Sequence, residues 1–163
     1  MFRNHYRHTL DNKGRVSVPA EYRVELQAEH DKPPFITKAD DCLRLYPAAY
    51  WAEYEARMIE ETAFDPDGED TLRSIMAWSS TCPVDRVGRI LVPQNLREHA
   101  NLEREAVFVG MGHFVEIWNP ARFLETDART WARSRDLRRS LAARIHTKGL
   151  AKLGGPEGSS SSG

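Results

Sequence analysis

The stretch DNKGRVSVPAEYR, Asp11 to Arg23, decides how this chain folds, because an altered copy of it returns as DRVGRILVPQNLR, Asp85 to Arg97. At an offset of 74, Asp11, Gly14, Arg15, Val18, Pro19 and Arg23 meet Asp85, Gly88, Arg89, Val92, Pro93 and Arg97. The flanks agree as well: FITKADDCLRLYP, from Phe35, aligns with VFVGMGHFVEIWN, from Val107, at an offset of 72. The 163 residues therefore carry one small folding unit twice.

Asp at the first position and Gly at the fourth fit a type I β-turn, where Asp bonds nearby backbone and Gly closes the corner. Arg15-Val16-Ser17-Val18 then alternates polar and apolar, as a strand with one buried face should. Pro19 ends that strand and suits a helix start, where its missing N–H has no partner to lose. Glu21 follows where the helix dipole favours a carboxylate, and Tyr22 and Leu26 share one face. Each copy reads as strand, tight turn, strand, short helix, strand, turn, strand. A unit of about 45 residues seldom buries enough apolar surface to fold alone. The expected class is therefore mainly β with flanking helices (α+β), two halves closing one barrel about a pseudo-two-fold axis.

Along the rest of the chain, Phe2 to Leu10 reads as the first strand, with Tyr6, His8 and Leu10 on one side and Arg3 and Arg7 on the other. His5 and His8 fall on opposite faces of such a strand, which argues against a metal pair. Trp51, Tyr54, Met58 and Ile59 form a helical stripe within Ala48 to Thr62, apt to pack on the barrel or on a neighbouring subunit. DPDGED, from Asp65, lacks the Gly and Glu positions of a calcium loop and reads as a linker into a helix with Leu72, Ile75 and Met76. Thr130 to Ile145 reads as a helix with Leu137, Leu141 and Ile145 on one side and arginines over the rest. The organisation expected is a first module over 1–50, a helical linker over 51–78, a second module over 79–126, a basic C-terminal helix over 127–153 and a disordered tail over 154–163.

Cys42 and Cys82 occupy non-matching positions and offer neither a disulfide framework nor a metal spacing, which suits a reducing cytoplasm. No apolar run follows the first arginines as a signal peptide would require, and none is long enough to span a membrane. The net charge of −1 is unevenly spread: +3 over residues 1–23, −8 over 24–78, −2 over 79–128 and +6 over 129–163. A phosphate-binding face, if present, is local to the first copy or to the basic tail.

At this point the duplicated motif is identified as that of the MraZ family: MFRNHYRHTLDNKGRVSVPAEYR resembles the family's start, and DRVGRILVPQNLR its second copy, with the likeness running to about Trp131. The resemblance implies two AbrB-like swapped-hairpin halves, of the kind that MazE and AbrB make from two chains. It implies a sequence-specific transcriptional regulator, a repressor of the bacterial cell-division and cell-wall gene cluster. Such a protein is expected to bind short direct repeats of double-stranded DNA in its own promoter as a ring homo-oligomer, in the cytoplasm and on the nucleoid, with no cofactor and no membrane. Lys13 and Arg15 carry over as DNA contacts. Arg3 and Arg7 on the adjoining strand are added on physical grounds, as are Arg86 and Arg89 in the second copy, where Val87 replaces Lys13.

Asp11, Gly14, Pro19 and Arg23, with Asp85, Gly88, Pro93 and Arg97, read as architecture, Arg23 and Arg97 as partners for a motif carboxylate. Arg15 and Arg89 are open to either a DNA contact or an ion pair with Asp11 or Asp85. Two other functions compete. An acid/base enzyme could gather Asp11, Asp85, Arg15 and Arg89 at the pseudo-dyad, but no nucleophile, metal set or phosphate loop accompanies them. A ring-forming scaffold or antitoxin-like protein-binding module would use the acidic middle instead.

Overall fold

Pro19, Pro47 and Pro93 hold extended backbone directly before a helix, so each ends a strand and turns the chain in the same way. The computed structural model describes residues 1–28 and 31–153. In chain order the elements are β1 (His5–Thr9), β2 (Arg15–Ser17), α1 (Ala20–Leu26), β3 (Phe35–Lys38), β4 (Leu43–Tyr46), α2 (Ala48–Thr62) and α3 (Pro66–Met76). The second copy gives β5 (Ser80–Thr81), β6 (Arg89–Leu91), α4 (Gln94–His99), β7 (Glu105–Gly110), β8 (Val115–Trp118) and α5 (Pro120–Arg133), and α6 (Arg135–Leu153) follows. The expected tail over 154–163 lies outside the described residues.

The strands do not pair within their own copies alone. Six form an antiparallel sheet in the order β1-β7-β8-β4-β3-β5, and β2 pairs β6 in a separate two-stranded ribbon. Exchanging the copies swaps β1 with β5, β3 with β7 and β4 with β8, and the order then reads the same backwards. The first strand of each copy is thus completed by the other: β1 runs along β7 from His5↔Val109 to Thr9↔Glu105, and β5 pairs β3 at Phe35↔Thr81. An antiparallel bridge, Leu10↔Val16, links the end of the first strand to the ribbon. The fold is α+β, as expected: an antiparallel six-stranded sheet and a ribbon with flanking helices, in two halves related by a pseudo-two-fold.

Two residue pairs lie on the pseudo-two-fold. In the ribbon it passes through Val16↔Ile90, with Arg15↔Leu91 and Ser17↔Arg89 related across it. Val16 and Ile90 point inward and are buried, and with Val18, Val92, Leu43, Leu45, Val115 and Ile117 they form one core between ribbon and sheet. Each such side chain contributes about 1.5–3 kcal/mol when fully buried. In the sheet the axis passes through Arg44↔Glu116. Arg44 Nε donates to Glu116 Oε1 at 3.3 Å, and Trp118 Nε1 donates to the other carboxylate oxygen at 2.9 Å.

Helix α2 uses only the first part of its stripe. Trp51 is buried, stacked on Phe35 with ring centroids 5.3 Å apart and tilted on Tyr46 at 5.3 Å, while Ile59 is exposed. The acidic run expected as a linker is instead the start of α3: Asp65 caps it by accepting from Asp67 N at 3.2 Å, and Pro66 opens it. The chain divides into two units, Met1–Phe123 and one beginning at Leu124. In the second unit the expected continuous helix is interrupted at Ser134, between α5 and α6. There the Arg138 guanidinium sits 3.7 Å over the Trp131 ring and donates to the Trp131 carbonyl at 3.0 Å. Leu137, Leu141 and Ile145 are exposed. No helix among the described residues is long and apolar enough to cross a membrane.

A residue on the axis of a symmetric pair would face its own twin, and duplication within one chain allows opposite charges there. Glu116→Arg should destabilise the fold by about 1–3 kcal/mol, less than a fully buried pair would lose because Arg44 is partly exposed. Urea unfolding should show that adding Arg44→Glu in the same chain restores most of the loss.

Candidate functional site

The two corners at the ends of the ribbon are built alike. In the first, Asp11 Oδ1 accepts from the backbone N–H of Lys13 at 3.0 Å and of Arg15 at 2.9 Å, and Asp11 Oδ2 accepts from Arg15 Nε at 2.6 Å. Gly14 N donates to Asp11 O at 3.0 Å and Asp11 N to Arg15 O at 2.9 Å. That closes a three-residue loop with Gly14 in the left-handed region at φ +84°. In the second corner Asp85 accepts from Val87 N and Arg89 N, each at 2.9 Å, and from Arg89 Nε at 3.0 Å, with Gly88 at φ +82°.

Both carboxyls are held below the usual aspartate range. The largest cause is the backbone N–H of Arg15 or Arg89, opposed by partial desolvation and reinforced by the arginine side chain. Each carboxylate is bonded to the backbone N–H groups and the arginine of its own corner. Each serves its own corner.

The corners are locked by the opposite copy. A Cβ on Gly14 would come within 2.5 Å of Arg97 Nε, and one on Gly88 within 2.5 Å of Arg23 Cζ. Arg23 Nε donates to Val18 O at 2.9 Å and Arg97 Nε to Val92 O at 3.1 Å, so their partners among the described residues are the carbonyls just past β2 and β6 and not the expected carboxylates. Val18 N in turn donates to Gly88 O at 2.9 Å, and Val92 N to Gly14 O at 3.0 Å. Behind the ribbon, His8 Nδ1 lies 2.6 Å from Ser17 O, and Cys82 occupies the equivalent place, its Sγ 3.7 Å from Leu91 O. Burial pushes the Cys82 thiol up to about 12.

The site residues named from the sequence separate into two groups. Lys13 and Arg86 are exposed at the corner tips and have no ion-pair partner among the described residues, and Arg15 and Arg89 stand beside them, partly exposed. Arg7 lies elsewhere. It alternates with His8, so it points off the far face of β1, where Nε and Nη2 grip Glu105 at 2.9 and 2.6 Å. His5 shares that face and approaches Phe123 at 5.5 Å, so the two histidines do diverge. Arg3 is exposed near the chain start, where the Tyr22 hydroxyl is 2.7 Å from the carbonyls of Arg3 and Asn4. Glu105 as the partner of Arg7 was not readable from the sequence, because it depends on the register of β1 against a strand nearly a hundred residues away.

Comparison with known proteins adds to this geometry. Residues 1–74 and 75–139 each match the family described as "MraZ protein, putative antitoxin-like". The "Transcriptional regulator MraZ" of Moorella thermoacetica is 41% identical over 126 residues, covering 77% of this chain and 85% of that protein. The protein of the same description from Alkaliphilus oremlandii is 42% identical over 120 residues, covering 73% and 81%. That from Thermomicrobium roseum is 37% identical over 121 residues, covering 74% and 82%.

Two outcomes test the corners. Gly14→Ala should cost about 1–2 kcal/mol for the left-handed backbone alone, and more if Arg97 must leave the Val92 carbonyl; urea midpoints measure it. Because the folded Asp11 and Asp85 carboxyls titrate below their unfolded values, their stabilisation is full above the ordinary aspartate range and disappears as pH falls through the folded values. The stability gap between the parent and Asp11→Asn/Asp85→Asn should therefore be widest at neutral pH and close in acid.

Proposed function

Because this chain belongs to the MraZ family, we propose that it is a sequence-specific DNA-binding transcriptional regulator whose ribbon corners enter the major groove. What supports the reading is one arrangement: at each corner an arginine is oriented through Nε by an aspartate whose oxygens are already occupied, leaving its terminal nitrogens for a ligand. A two-stranded ribbon fits the major groove, where arginine can bond guanine O6 and N7 together and lysine beside it neutralises phosphate. Arg15 is the base reader and Lys13 the phosphate contact. Arg89 and Arg86 do the corresponding work at the second corner, which carries Val87 in place of Lys13. Arg7 has a structural role, and Arg3 is at most a peripheral phosphate contact.

The regulator acts as a repressor of the cell-division and cell-wall gene cluster, binding short direct repeats in its own promoter from the cytoplasm, as part of the nucleoid. Direct repeats suit a ring, since subunits related by rotation present the same face in one direction, whereas a two-fold dimer suits a palindrome. Several weak contacts on one ring add through effective concentration. Ile59 and Phe64, exposed near the α2–α3 corner, are apolar surface that a neighbour in such a ring would cover.

Gel shifts with the duplex upstream of the chain's own gene test the proposal. Arg15→Ala should lose about 1–3 kcal/mol and relax base preference, while Lys13→Ala should weaken all sequences alike and flatten the salt slope by about one contact. Binding that does not respond to salt, or variants that bind as the parent does, would overturn the DNA assignment and favour a protein-binding scaffold.

A further inference from the structure

The outer face of the ribbon is not symmetric. Arg15 stands opposite Leu91, and the matching place opposite Arg89 is held by Ser17. Leu91 is 57% exposed although it is paired within the ribbon, at the end of β6. Its inward neighbours Ile90 and Val92 are buried, so alternation commits Leu91 to solvent. Arg15 flanks it across the ribbon and Arg89 two residues back along its own strand. Each corner also keeps one cation beyond its own Asp–Arg pair, Lys13 in the first and Arg86 in the second. An apolar side chain ringed in this way is poorly placed for an apolar protein surface, which would have to desolvate the neighbouring arginines. It is well placed for a polyanion that carries isolated apolar groups between its charges. In the major groove that group is the C5-methyl of thymine, while the flanking guanine or phosphates take the arginines.

We infer that Leu91 reads a thymine methyl next to the base held by Arg15, so that the two halves of the ribbon recognise different base pairs and each subunit binds DNA in one orientation. The inference rests on the DNA-binding function proposed above and adds to it a residue and the group it contacts. A directional subsite is what a direct repeat requires. With Leu91 replaced by the serine of the matching position, the ribbon's outer strand residues would become alike in both halves.

The test removes the methyl and nothing else. A duplex is selected by the full chain from a random-sequence pool, and each thymine in turn is replaced by deoxyuridine. The parent should lose about fourfold in affinity at one position of each repeat, the worth of one buried carbon. Leu91→Ser should bind the thymine and deoxyuridine forms equally at that position while keeping the other positions unchanged. Tight binding by the parent with no methyl dependence anywhere would overturn the inference and leave the DNA function standing. So would a Leu91→Ser variant as methyl-sensitive as the parent. Failure of the pool to enrich any sequence would overturn both. The scan on the parent needs no variant, so poor folding of Leu91→Ser would not blunt it.

Discussion

The exchange of first strands between the two copies is the constraint on which everything else rests. A backbone N–H or C=O buried without a partner costs about as much as a lost hydrogen bond, and among the described residues the ladder partners of β1 and β5 lie in the opposite copy. Once the strands are exchanged, β2 and β6 are brought side by side, and the corners leading into them are placed at the two ends of one ribbon. Arg23 and Arg97 complete the lock from behind, each packed against the glycine of the other copy's corner. Corner geometry is therefore a property of the pair of halves, and a change at either glycine is felt in both.

Joining the halves in one chain frees the positions that a two-chain version would have to keep identical. At the sheet axis this gives Arg44 opposite Glu116, where a true dimer would oppose like charges. Behind the ribbon a histidine and a cysteine address equivalent carbonyls. At the corner tips Lys13 answers to Val87. The core positions on the axis, Val16 and Ile90, differ only in size, because both must fill the same dry space. Divergence is concentrated where side chains meet solvent or each other's charge, and conserved chemistry is found where the backbone needs it.

Much of this was readable beforehand, and for a physical reason. Asp at the first turn position, Gly at the fourth and Pro after the strand act through local backbone geometry, so Asp11, Gly14 and Pro19 disclose their roles without knowledge of any partner. The same is true of α2, whose bounds follow from Pro47 and its aromatic stripe. What stayed hidden depends on register between distant segments: Arg7 with Glu105, Arg44 with Glu116, and the carbonyls just past β2 and β6 held by Arg23 and Arg97. The acidic run before α3 was misread because carboxylates that look like loop residues also favour a helix N-terminus, where Asp65, Asp67 and Glu69 lie. The break at Ser134 has no proline or glycine to announce it.

The sequence left Arg15 with two readings, a ligand contact or an ion pair with Asp11, and the geometry makes them compatible. Only Nε is engaged with the carboxylate, at the edge of the guanidinium nearest the backbone. Arginine carries about 2 kcal/mol of rotamer entropy, part of which is already surrendered in the free corner and so is not lost again on binding. The carboxylate, in turn, is satisfied by two backbone N–H groups as well as by Arg15. It stays ionised, yet its charge is spread into the corner rather than presented outward as a bare anion. A lysine at position 15 could form the ion pair, but with no planar fork it would have no second edge to offer. The recurrence of the same arrangement at Asp85 and Arg89, at a corner whose tip has lost its lysine, indicates that orienting the arginine is the more constrained of the two jobs.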